Sequence, residues 1–200
     1  HGYQTDGVFQ NWDEVYAYTN AEGGLIQPDA QPGDFRYKDL DGDGSIKAEG
    51  DRTNLGKCVP SWTYGINASI DWKGIDFSMV WQGVAGNKIF DATRRTDIPT
   101  MNQPKYVLNR WTGEGSTNEY PRFTVTDPNQ NWSKASDFFI KDASYFRLKN
   151  VTLGYTLPAK WTNKIFVKKL RVYVACENAL TFTKYDGFDP EIADYVDRGI

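Results

Sequence analysis

The sequence predicts an all-β fold of antiparallel strands, and three observations carry that prediction. Composition is weighted to residues that favour strands and turns: 15% of the 200 residues are aromatic, with seven Trp, twelve Tyr and eleven Phe beside eighteen Gly and nine Pro. Two pairs of segments alternate apolar and polar side chains with a period of two, as strands with two unlike faces require. The stretches between them are rich in turn formers, and the longest exceeds what compact soluble domains usually tolerate.

Residues 1–60 hold many Gly, Pro, Asp and Asn residues and read as loop, with one or two helical turns between Asn11 and Asn20. The first strand is Ser61–Trp72. Trp62, Tyr64, Ile66, Ala68, Ile70 and Trp72 share one face, and Thr63, Gly65, Asn67, Ser69 and Asp71 share the other. Lys73-Gly74 supplies a tight turn into a second strand, with Ile75, Phe77, Met79 and Trp81 opposed to Asp76, Ser78 and Gln82, and Val80 as the exception.

Residues 84–145 contain Pro99, Pro104, Gly113, Gly115, Pro121 and Pro128 and little periodicity. From Tyr145 the alternation returns: Val151, Leu153, Tyr155 and Leu157 against Thr152, Gly154 and Thr156, ended by Pro158. A basic connector from Lys160 to Lys169 leads to Leu170, Val172, Val174 and Cys176, which alternate with Arg171, Tyr173, Ala175 and Glu177.

A formal net charge of −3 with mixed signs gives no basic footprint for nucleic acid. Cys58 and Cys176 form no CxxC pair, so neither a zinc site nor a redox motif is indicated. No run of about 18 apolar residues can cross a membrane as a helix, but a barrel strand needs only about 9 to 11 alternating residues. The pattern alone therefore leaves two architectures: a soluble β-sandwich, and a membrane barrel with short turns at one end, long loops at the other and aromatic girdles. Trp62 and Trp72 bracket one strand in the manner of such girdles.

Asp39, Asp41 and Asp43 occupy positions one, three and five of a calcium-loop pattern, followed by Gly44 at six and the Ser45 carbonyl at seven. The acid expected at twelve falls on Gly50, so Asp51, one residue later, would have to close the loop. The competing reading is an Asp-Gly turn whose carboxylates cap local amides. Trp111, Tyr120 and Trp132, with Phe123, are candidates for stacking on sugar rings or for packing long loops together. Arg94-Arg95 could meet an acidic substrate, but with Asp91 and Asp97 beside it the favoured reading is a solvated or salt-bridged loop pair. His1 is the only histidine, and Asp189 and Glu191 show no sign of tuned acidity, so no catalytic site is expected.

Six strings resemble, in order, the C-terminal part of SusC/RagA-type TonB-dependent transporters. They are Pro32–Gly44 (PGDFRYKDLDGDG), Asp51–Gly56 (DRTNLG), Phe77–Asn87 (FSMVWQGVAGN), Asp142–Pro158 (DASYFRLKNVTLGYTLP), Leu170–Val174 (LRVYV) and Asn178–Pro190 (NALTFTKYDGFDP). The resemblance implies a Gram-negative outer-membrane barrel of 22 strands around an N-terminal plug, driven by TonB and lidded by a SusD-like surface lipoprotein. Oligosaccharides or peptides are its implied cargo. On that reading residues 1–200 are a partial barrel without plug, TonB box or final strand. Lys73-Gly74 and residues 159–169 would face the periplasm; residues 1–60, 84–145 and 178–200 would be extracellular. The alternative is a secreted, soluble, calcium-dependent glycan-binding β domain.

Overall fold

Turn-rich composition does not leave the first sixty residues without secondary structure. A computed structural model of the chain describes residues 1–91, 102–103, 105–187 and 189–191. These divide into two units, one formed by residues 1–56 and 90–141 and the other by residues 57–89 and those from 142 onward. Arg94 and Arg95 lie outside the described residues.

In the first unit, β1 (Gly2–Tyr3), β2 (Thr5–Val8), β3 (Phe35–Tyr37) and β4 (Arg52–Thr53) form two antiparallel ribbons, β1 with β4 and β2 with β3. The helical turns expected between Asn11 and Asn20 are α1 (Trp12–Ala17). Asn11 caps it by accepting from Glu14 N at 3.0 Å, and Glu14 reaches back to Gln10 N at 2.8 Å. Six residues are too few to hold a helix unaided, and Val15 anchors this one in a cluster with Phe9 and Ala30.

Val8, Phe35 and Tyr37 form a second cluster, and Val107, Trp132 and Phe139 a third. Lys134 lies over the rings of Tyr37 and Tyr3 at 4.8 and 5.2 Å, and burial there pushes its ammonium below the ordinary lysine range. The expectation of plain loop for residues 1–60 is thus corrected: the segment is folded on itself and on residues 105–139. Its strands are too short for a period of two to show.

The second unit is built on the predicted hairpin, β5 (Trp62–Trp72) and β6 (Ile75–Ala85). Two short strands, β7 (Lys88–Phe90) and β8 (Ile140–Asp142), pair with each other. β9 (Tyr145–Thr156) and β10 (Arg171–Thr183) complete an antiparallel sheet in the order β5-β6-β9-β10. Lys73 and Gly74, both at positive φ, make the two-residue turn that the sequence indicated. A short helix, α2 (Ala159–Thr162), begins the basic connector between β9 and β10.

Register sorts the side chains across all four strands. Ile70, Phe77, Leu153 and Val174 lie in one row, as do Ala68, Met79, Val151 and Cys176. On the opposite face Ser69, Ser78, Thr152 and Ala175 share a row. Val80, the exception to the alternation, belongs to this polar face, paired with Asn67 and Asn150.

A β-bulge interrupts the ladder here: Lys149 has no partner between Asn150 and Leu148, and Asn178, at φ 51°, lies in the matching break of β10. Beyond it the apolar face resumes as Leu148 and Phe146 beside Leu180 and Phe182. Residues 178–183, expected as outer loop, are therefore strand. The bulge hid them by breaking the alternation after Glu177.

At about 3.3 Å per residue and tilted by about 40°, an eleven-residue strand covers the roughly 25 Å apolar band of an outer-membrane wall. An aromatic ladder crosses the end of the apolar face away from the tight turn. Trp81 stacks on Phe146 at 4.8 Å, Phe146 on Tyr64 at 5.7 Å, and Trp81 on Phe182 at 6.3 Å. Tyr64 lies across Gly83, where a Cβ would come within 2.5 Å of its ring.

Candidate functional site

The loop at 39–51 draws Asp39, Asp41 and Asp43 together, with one carboxylate oxygen of each within 4.8 Å of the others. Glycine geometry makes this possible, since Gly42 and Gly44 take positive φ. Their amides donate to the two Asp39 oxygens at 2.7 and 2.8 Å. Ser45 donates from its amide and hydroxyl to Asp43, both at 2.9 Å. Lys47 Nζ, 2.6 Å from Asp43 Oδ2, and the Ser45 hydroxyl hold the Asp43 carboxyl below the usual carboxylate range.

Asp51 stands apart from this group. It is fully buried, and its two oxygens accept from Leu40 N and Lys47 N, each at 2.7 Å. It closes the neck of the loop by tying the loop's entry to its far side, and the structure does not bring it among the three clustered carboxylates.

The three aromatic candidates pack loops together. Trp132 is 2% exposed, its indole N–H donates to Arg122 O at 2.9 Å, and Phe123 and Phe138 meet it edge-on. No face of its ring is free for a sugar. Tyr120 meets Phe138 edge-to-face at 5.6 Å. Trp111 packs against the Val8–Phe35–Tyr37 cluster and donates to Gln10 Oε1 at 3.2 Å.

Under these rings runs a buried polar network that sequence reasoning missed. Asp34, wholly buried, accepts from Arg122 Nε at 2.5 Å and Asn131 Nδ2 at 2.7 Å through one oxygen, and from Gln31 N at 2.9 Å through the other. Asn131 Oδ1 accepts from Phe35 N, and Gln27 and Asn129 both donate to Phe35 O. The network serves the β2–β3 ribbon's open side, where no further strand among the described residues supplies partners.

On the polar face of the sheet, Arg147 is the organising residue. It pairs with Asp189 at 2.7 Å and with Glu191, while Lys149 Nζ reaches Glu191 at 2.7 Å and the Tyr145 hydroxyl donates to it at 3.0 Å. Hydrogen bonding to Arg147 holds the Asp189 carboxyl below its ordinary range, which corrects the reading of Asp189 and Glu191 as untuned loop acids. The signal was two acids after a strand whose polar row carries Arg147, but the bulge at Lys149 concealed that row.

A four-stranded sheet with one apolar and one polar face, paired among the described residues on only one side at β5 and at β10, is a stretch of β-barrel wall. Solved structures agree. The chain matches the RagAB peptide transporter over 80% of its own length and 18% of that chain, at 26% identity and a TM-score of 0.63. The RagAB peptide importer in its open-open state matches over 95% of this chain and 19% of that one, at 21% identity and a TM-score of 0.62.

No family model matches the chain. It is 31% identical over 194 residues to TonB-dependent receptor P3 of Formosa agariphila, covering 96% of this chain and 18% of that protein. With TonB-dependent receptor SusC of Bacteroides thetaiotaomicron it shares 24% over 175 residues, or 86% and 17% of the two lengths. Over most of its length the chain is thus similar to part of several TonB-dependent receptors, SusC among them, in line with the resemblance. It spans less than a fifth of the length of the curated relatives it matches.

Proposed function

We propose that this chain forms wall and outer loops of a TonB-dependent outer-membrane importer, which takes up oligosaccharides or peptides with a SusD-like surface lipoprotein. The observation that carries this reading is the continuous apolar face of β5-β6-β9-β10 in a chain related to TonB-dependent receptors. A soluble glycan-binding sandwich would cover that face, yet Val174 at its middle is 73% exposed. TonB would act through the plug region of the complete receptor. The lipoprotein and cargo would meet the loop unit of residues 1–56 and 90–141.

Topology supplies the test. In the complete receptor, a peptide tag inserted at Gly115, an open left-handed turn with no atom near its Cβ position, is expected to be labelled on intact cells by an impermeant antibody. A tag at Asn163 in the β9–β10 connector is expected to be labelled only after the outer membrane is permeabilised. Equal labelling of both on intact cells would sink the wall reading.

The 39–51 loop extends the proposal to a structural calcium ion held by Asp39, Asp41, Asp43 and the Ser45 carbonyl, with Asp51 as the latch that shapes the loop. Hard oxygens gathered at one point suit calcium, and external calcium fills even weak sites. Lys47 competes for Asp43. Calorimetric titration of the complete receptor is expected to show calcium binding that Asp41→Ala and Asp43→Ala abolish, and that Lys47→Gln tightens several-fold. A flat calcium titration of the unmodified receptor would discard the site.

A further inference from the structure

We propose that the edge of the sheet carrying the β5–β6 turn and the β9–β10 connector binds an anionic phospholipid. This rests on the wall reading above and assigns the lipid partner of one rim of that wall. Two features meet there, one apolar and one basic.

The apolar feature is an open groove of about 550 Å³ on the apolar face, lined among others by Ile75, Leu153, Tyr155, Val172 and Trp161. Trp161 comes from α2, so the connector folds back over the sheet's apolar side and does not extend away from it. Five residues on, Phe166 is held at φ 58° and is 98% exposed. A left-handed backbone is costly for an aromatic residue, and here it leaves a ring with no protein contact to repay it.

The basic feature is the same connector. Lys160, Lys164, Lys168 and Lys169 are all exposed, and no acidic residue occurs between Thr156 and Glu177. Lys73, in the neighbouring turn, lies 4.8 Å over the exposed Trp72 ring. The two turns share one edge, because Thr156 N donates to Gly74 O at 2.7 Å.

The acids of this edge, Asp71 and Asp76, lie on the polar face, and Asp76 is taken by Arg171. Lys169 also lies near Asp76, whereas Lys160, Lys164 and Lys168 are exposed on the connector beside the groove. A phosphate at the lysines with acyl chain in the groove satisfies both features. A zwitterionic headgroup would bring an ammonium of its own against the lysine field. Short turns face the periplasm in walls of this kind, which selects a glycerophospholipid over lipid A.

The complete receptor, purified in detergent, is the material for the test. Native mass spectrometry would follow retention of dioleoylphosphatidylglycerol, dioleoylphosphatidylethanolamine and lipid A. We expect phosphatidylglycerol to be retained over phosphatidylethanolamine, and the variant K160Q/K164Q/K168Q/K169Q to lose that preference by about tenfold or more. Its unchanged phosphatidylethanolamine adducts report an intact barrel. Trp161→Ala is expected to lower phosphatidylglycerol retention with all lysines in place. Equal retention by the unmodified receptor and the lysine variant, or lysine-dependent capture of lipid A in preference to phosphatidylglycerol, overturns the proposal. A receptor that holds no lipid and stays monodisperse without detergent overturns the wall reading beneath it, which is a separate outcome.

Discussion

Met79→Arg is expected to cost the receptor about 2–4 kcal/mol in a bilayer, and Ser78→Arg, one position away, well under 1 kcal/mol. The two residues are neighbours in sequence and belong to opposite faces of the same strand. Met79 sits in the row Ala68–Met79–Val151–Cys176, midway along the apolar face, where a guanidinium has neither water nor a partner. Ser78 sits in the polar row with Ser69, Thr152 and Ala175. Urea unfolding of the complete receptor in phospholipid vesicles measures both. Equal costs would mean that the faces are assigned wrongly, and with them the direction in which the wall curves.

Asp34→Ala is expected to remove about 3–5 kcal/mol from the loop unit, because it strands the Arg122 guanidinium and the Asn131 amide beneath a packed aromatic layer. Faster hydrogen exchange at Phe35 and Tyr37, whose amides the adjoining network holds through Asn131 and Gln27, is the measurement. The double variant Asp34→Ala with Arg122→Ala should cost less than the two single variants summed, since neither partner is then left charged and alone. Unchanged exchange in Asp34→Ala would show that the network fills space without holding the unit together.

These contrasts explain how much of the molecule could be read from its residues. Strands β5 and β6 were legible because lipid and lumen are unlike environments, so every second side chain records which it meets. The record held for Trp62 to Gln82, Val80 excepted, and again for Val151 to Leu157 and Leu170 to Glu177. It failed at Lys149 and Asn178, where one bulge crosses two strands and resets the count. Asp39, Asp41 and Asp43 were legible for a different reason: fixed spacing with glycines between leaves the carboxylates few places to go.

The loop unit was opaque. Gln27, Asn129 and Asn131 look like any loop amides until the fold buries them, and Trp111, Tyr120 and Trp132 carry no mark that separates a stacking platform from a packing core. Their environment is made by contacts across about a hundred positions of chain, as when Trp111 meets Gln10, and no local pattern encodes those.

The carboxylates that return to Arg147 have a consequence for anything moving along the polar face. Asp189 and Glu191 neutralise Arg147 and Lys149 and lay the chain leaving β10 back over them. A solute passing this stretch would meet a pinned segment of backbone with its charges already matched. Discrimination there would follow the solute's width and stiffness, and changes of ionic strength would alter it little.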